Sequence, residues 1–236
     1  MADHVRTRHN LPRADIVLAA LSVIAYVGAM WMVFGYAPRE ATMGDVQRIF
    51  YFHVASAWVG FFGFFVTFVA GVAYLVRGAR RWDILAGASA EIGLTFITMT
   101  LVTGMLWARP VWGVYWIWEP RLTISAVQWL LYVAYVMLRG SVMEPERQAR
   151  FAAVYGIVAF VTVPLSWFAI RWWRTIHPIV ISGEGMAITS RMVYTLVASL
   201  GAFTLVYVTL VRRRTALEQA RDDLAALQFA RESGEG

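Results

Sequence analysis

Six stretches of this chain are apolar enough, and close enough to 20 residues long, to cross a lipid bilayer. They fall at about 15–36, 50–76, 86–107, 122–138, 151–170 and 189–211. A hydrocarbon core about 30 Å thick is spanned by roughly 20 helical residues. Backbone in lipid must satisfy its own hydrogen bonds, so spans of this kind are helices. The expected fold is an all-α integral membrane protein: a six-helix transmembrane bundle with a Trp-rich loop at one interface. It forms one membrane domain over 1–236, with a tail at 212–236. Hydrophobic residues make up 59% of the chain, well above the share in an ordinary globular domain. The basic N-terminus, "MADHVRTRHNLPRADIV", precedes an apolar run too long for a signal-peptide core. No small-x-small cleavage site follows, so that run reads as a retained first span.

Charge sets the orientation. The chain has no lysine, and its net charge of +6 comes from arginine. Arginine divides unequally between alternate loops. Fourteen lie in one set, around Arg6–Arg13, Arg77–Arg81, Arg139–Arg150 and Arg212–Arg231. The other set holds seven: Arg39, Arg48, Arg109, Arg121, Arg171, Arg174 and Arg191. The positive-inside rule places the richer set, with both termini, in the cytoplasm; the expected host membrane is the inner, cytoplasmic one. A cationic excess in so apolar a chain points to a membrane surface and not to nucleic acid. Cysteine is absent, which removes disulfides, zinc–thiolate sites and thiol nucleophiles.

This topology puts "WARPVWGVYWIWEPRLT", residues 107–123, at the outer face between spans three and four. Indoles favour membrane interfaces, so an aromatic belt is one reading. The cluster exceeds what a belt needs. Its tryptophans sit in one loop, Trp112 and Trp116 would share a face if the segment were helical, and Glu119 and Arg121 follow directly. A flat aromatic ligand with anionic edges would use indoles for stacking and arginine for a carboxylate.

Two histidines share that face. Counting about 20 residues back from Val76 leaves His53 about four residues, or roughly 6 Å, beyond the hydrocarbon. His177 lies in the connection between spans five and six, also external. Each alone reads as an interfacial histidine satisfied by water. With the Trp loop, the pair suggests metal ligation, and imidazole is a usual axial ligand of haem. Zinc is disfavoured, because no third histidine or cysteine lies nearby. His4 and His9, in the basic tail, are assigned no role. Outer arginines would anchor headgroups or pair with haem propionates. Arg121 and Arg48 stand nearest the Trp cluster and His53.

"WGVYWIWEPRLT" resembles the tryptophan-rich WWD signature of haem-handling membrane proteins. With six spans and one external histidine on each side of the Trp loop, the chain is similar to the cytochrome c maturation protein C (haem exporter protein C, CcmC) family over about residues 13–211. The resemblance implies axial ligation by His53 and His177 and a porphyrin platform of Trp112, Trp116 and Trp118. Glu119 replaces the family's usual Asp after the last Trp. The implied cargo is b-type haem, bound transiently at the outer face. The implied partners are a haem chaperone (the E protein), a small single-span D protein and the subunits of an ABC transporter. It implies a carrier and not an enzyme, and the sequence offers no nucleophile–base pair. The alternatives are a membrane haem electron carrier, which would hold histidines at mid-membrane depth, and a small-molecule transporter. For a transporter the signals are Glu91, near the cytoplasmic end of span three, and Pro164, placed to kink span five.

Overall fold

The computed structural model describes residues 13–142, 144–173, 177, 181–182, 185–186 and 188–234, with the side chains at 181–182 and 185–186 left undescribed. His4, His9, Arg6, Arg8 and Arg174 lie outside this set. Seven α-helices account for nearly all of the described chain: α1 (Arg13–Trp31), α2 (Ile49–Arg77), α3 (Arg80–Trp112), α4 (Pro120–Ser141), α5 (Pro145–Ala159), α6 (Thr162–Trp172) and α7 (Ser190–Glu232). A π-helical turn, Met32–Tyr36, extends α1, and a 3-10 turn, Asp45–Arg48, leads into α2. A two-residue hairpin, Ile181–Ser182 against Gly185–Met186, lies between α6 and α7. Among the described residues, six helical segments have the length and hydropathy to cross a membrane, with α5 and α6 together forming the fifth. The protein is a multi-pass α-helical membrane bundle.

Local sequence explains the ends. α3 runs five residues beyond the apolar stretch and stops at Gly113, whose φ of +78° only glycine adopts without strain. Its amide closes the helix on the carbonyl of Arg109 at 3.0 Å. Pro110 is tolerated in this last turn. α4 opens with Pro120 at its first position, where a missing N–H costs nothing. The fifth span breaks where the sequence predicts a kink. Pro164 falls in the first turn of α6 and cannot donate to the carbonyl of Phe160, four residues back. α5 therefore ends at Ala159, and α6 begins at Thr162. α7 carries its span into the charged segment without interruption, to Glu232.

Small residues bring the helices together, as packing in lipid requires. α2 and α3 form the centre and approach closely at Gly63. A Cβ there would stand 3.0 Å from the Cα of Gly93 and 3.1 Å from the carbonyl oxygen of Ser89. Ser89 Oγ donates to the Gly63 carbonyl at 2.8 Å. α7 and α5 flank this pair, α1 lies along α7, and α4 packs on α3, α5 and α6. Ser22 of α1 and Thr209 of α7 share a 2.7 Å hydrogen bond.

The arginine-rich end is held by ion pairs. Buried Asp83 meets Arg139 and Arg80. Asp15 accepts from Arg212 at 2.7 and 2.9 Å. Glu91, which the sequence places near this end, accepts from Arg214 at 2.7 and 3.0 Å. The opposite end carries the Trp loop.

Candidate functional site

At the Trp-loop end, α2, α3 and α4 diverge around a cavity whose empty volume is about 1020 Å³, its open mouth included. Each helix contributes residues at helical spacing. α2 presents Phe50, His53, Val54, Ala57 and Phe61; α3 presents Ile97, Thr100, Leu101, Gly104 and Ala108. α4 adds Arg121, Ser125 and Gln128. Trp112 ends α3, the loop after it supplies Tyr115 and Trp116, and His177 completes the lining.

His53 is fixed from behind. Its Nδ1 lies 3.0 Å from the Thr100 carbonyl oxygen and 3.3 Å from Thr103 Oγ1. A carbonyl can only accept, so Nδ1 carries the proton and Nε2 keeps its lone pair. Ligating histidines are commonly oriented in this way. Gly104 makes room for the ring: a Cβ there would stand 3.1 Å from His53 Cε1.

The ring centroids of His53 and His177 lie 6.3 Å apart at 41°, although 124 positions separate the residues in sequence. A spacing of this size accommodates two metal–imidazole bonds of ~2 Å each. Trp112 stands edge-on to His177 at 6.5 Å, and Trp107 edge-on to Trp112 at 5.0 Å. Burial, then the charge of Arg121, then His53 push His177 down to about 3. It therefore stays neutral at ordinary pH, as a ligating imidazole must.

Arg121 reaches the cavity from the first turn of α4. Its Nη1 donates to the Ser166 carbonyl at 3.3 Å, which leaves most of its donors for other partners. Glu119 has a structural role at the same place. It is the N-cap of α4, and its Oε1 accepts from the Leu122 amide at 3.0 Å. The longer carboxylate thus still reaches a helix N-terminus, and it fixes the turn that carries Arg121. Among the described residues, Trp116 Nε1, Glu119 Oε2 and both polar atoms of the Gln128 side chain are buried without a hydrogen-bond partner.

Other outer residues point elsewhere. Trp118 is 77% exposed and touches Trp116 edge-on at 5.6 Å, outside the lining. Arg48 donates to the Val33 carbonyl and to Asp45 at 3.1 Å, joining the end of the first span to the start of α2. Arg109 lies over Tyr115, and Arg191 over Tyr36. Of the described arginines, Arg121 alone lines the cavity. Residues 113–119 are not helical. Trp112 and Trp116 share the cavity because Gly113 turns the chain, not because they share a helix face.

The family model for heme exporter protein C matches residues 4–229. The chain belongs to the heme exporter protein C (CcmC) family. It is 34% identical to heme exporter protein C of Bradyrhizobium diazoefficiens over 94% of this chain and 82% of that protein. It is 30% identical to the heme exporter protein C of Paracoccus denitrificans over 92% and 90%. A ccmC-like mitochondrial protein of cytochrome c biosynthesis from Marchantia polymorpha is 29% identical over 71% and 70%. Membership covers every span and the whole cavity. Sequence reading alone did not single out Gly104, Thr100, Ser125 or Gln128. For the last two a signal exists: polar residues at positions i+4 and i+7 from Arg121 inside an apolar run.

Proposed function

We propose that this protein binds haem as cargo in the cavity at the outer end of the bundle and passes it to a haem chaperone during cytochrome c maturation. The convergence of His53 and His177 across one aromatic cavity carries this reading. In it, the two imidazoles bind iron from opposite sides. Nε2 of His53 is presented by the Thr100 carbonyl, and His177 comes from the connection before α7. Trp112 and Trp116 supply flat apolar walls, and Arg121 supplies a cation for a propionate. Trp118 stands at the mouth, in contact with Trp116, where a docking partner would meet it. The arginine distribution supports an outer placement of the cavity and cytoplasmic termini.

The cavity opens to the surface instead of enclosing its cargo, which suits a protein that must release a b-type haem. Family membership supports work alongside the E chaperone, the D protein and ABC transporter subunits. A mid-membrane electron carrier fits less well, since both cavity histidines lie at one end of the helices. A transport path fits less well too, since Glu91 and Asp83 are held by arginines at the other end.

The test is haem binding by the purified protein in nanodiscs. Wild type should give a Soret band typical of two nitrogen ligands. His53→Ala and His177→Ala should each weaken or shift it. A spectrum unchanged by both substitutions rejects the site.

A further inference from the structure

The haem-binding reading leaves one group of the cavity unused. Gln128 is 1% exposed, in the apolar part of α4. It lines the cavity, and both Nε2 and Oε1 lack a hydrogen-bond partner among the described residues. A buried amide without partners is costly, so such a group calls for something that completes it. Neighbouring polar groups do not. Ser125, one turn nearer the cavity mouth, is occupied with the Arg121 carbonyl at 2.8 Å and Ser166 Oγ at 3.3 Å.

Gln128 follows Arg121 by seven residues. That is two helical turns, so both side chains leave one face of α4 about 10 Å apart along the axis. A guanidinium and a carboxamide thus face one cavity, with the hydroxyl of Ser125 between them. The guanidinium and the carboxamide can both donate hydrogen bonds, and Arg121 supplies the positive charge. This pattern suits a ligand edge bearing two carboxylates.

We propose that Gln128 is the second propionate anchor: Arg121 holds one propionate, the Gln128 amide donates to the other, and haem lies with its dicarboxylate edge against α4. The uncharged opposite edge then faces away from α4. Gln128 becomes a specificity-determining residue, which favours porphyrins carrying two free carboxylates over esterified ones. The inference rests on the haem-binding reading, and the two fail separately.

The experiment titrates the full-length protein in nanodiscs with haem and with its dimethyl ester, which keeps iron and ring but removes both carboxylates. Wild type should bind haem at least about a hundredfold more tightly than the diester. Gln128→Met, similar in length but without donors, should lose about ten- to a hundredfold in haem affinity, the effect of one lost hydrogen bond to a charged group. Its diester affinity should fall by less, because an ester carbonyl is an uncharged and weaker acceptor, and a melting curve beside the titration shows that the variant is folded. Gln128→Asn, which retains an amide but falls short, should behave like Gln128→Met and serves if the Met variant does not fold. If wild type binds neither ligand, the haem reading itself falls. If wild type binds haem and diester equally, the site holds haem but the carboxylate edge is not against α4. If Gln128→Met or Gln128→Asn keeps the wild-type preference, Gln128 is no anchor.

Discussion

At the scale of single residues, the site depends on small groups that hold large ones in place. His53 is held by a backbone carbonyl that no substitution can delete, and its ring fits because position 104 lacks a side chain. Gly104→Ala should push the imidazole out of line. It should lower haem affinity by about tenfold, the lower end of what disturbing a ligand's supporting shell costs, with little change in thermal stability. Equilibrium titration beside a melting curve separates the two. His177 offers a pH test. Because burial holds it down to about 3, it remains neutral far below the ordinary histidine value of about 6.5. Haem loading should therefore be flat from pH 8 to about pH 5, where an ordinary imidazole would lose half its ligating form near 6.5. For apo-protein stability, the unfolded chain takes up a proton below about 6.5 that folded His177 refuses. This residue's contribution thus falls as pH drops from about 6.5 to about 3 and is constant above. Soret amplitude and apo-protein melting against pH check both statements. A loading midpoint near 6.5 would contradict them.

Among the elements, the start of α4 matters most. Glu119 caps it, Pro120 begins it, and Arg121 leaves its first turn for the cavity. One carboxylate therefore supports both a helix and the position of a cation. Glu119→Ala should cost about 0.5–2 kcal/mol of stability, the usual worth of an N-cap, and should also weaken haem binding, because Arg121 loses its fixed base. Glu119→Asp should retain both, since Asp is among the strongest capping residues. Melting temperature and haem affinity of the two variants should move together. A haem defect in Glu119→Ala without any loss of stability would mean that the carboxylate acts on cargo directly.

For the whole molecule, two unlike ends are joined by apolar helices. Ion pairs of Asp15, Asp83 and Glu91 with arginines hold one end, and the aromatic cavity opens at the other. If the cavity end is external, a single cysteine at position 115, where Tyr115 is 57% exposed, should react with an impermeant thiol reagent in intact cells. A cysteine at position 79, in the tight α2–α3 connection, should react only after the membrane is opened. The native chain has no cysteine, so the labels report cleanly. The reverse pattern would place the haem site on the cytoplasmic side.

Sequence alone determined that there are six spans, that Pro164 is placed to kink the fifth, and that the Trp loop shares an end with His53 and His177. These are local matters: apolar length, a missing N–H, and the parity of crossings. Only the tertiary structure decided which outer residues meet. It put Arg121 in the cavity and Arg48 in a brace between the first span and α2. It put Trp116 in the lining and Trp118 in the open, and it exposed Gly104 and Gln128 as parts of the site. Those choices depend on how each helix is rotated about its own axis. That rotation is set by close contacts between distant residues, such as Gly63 against Gly93, and no single segment encodes it.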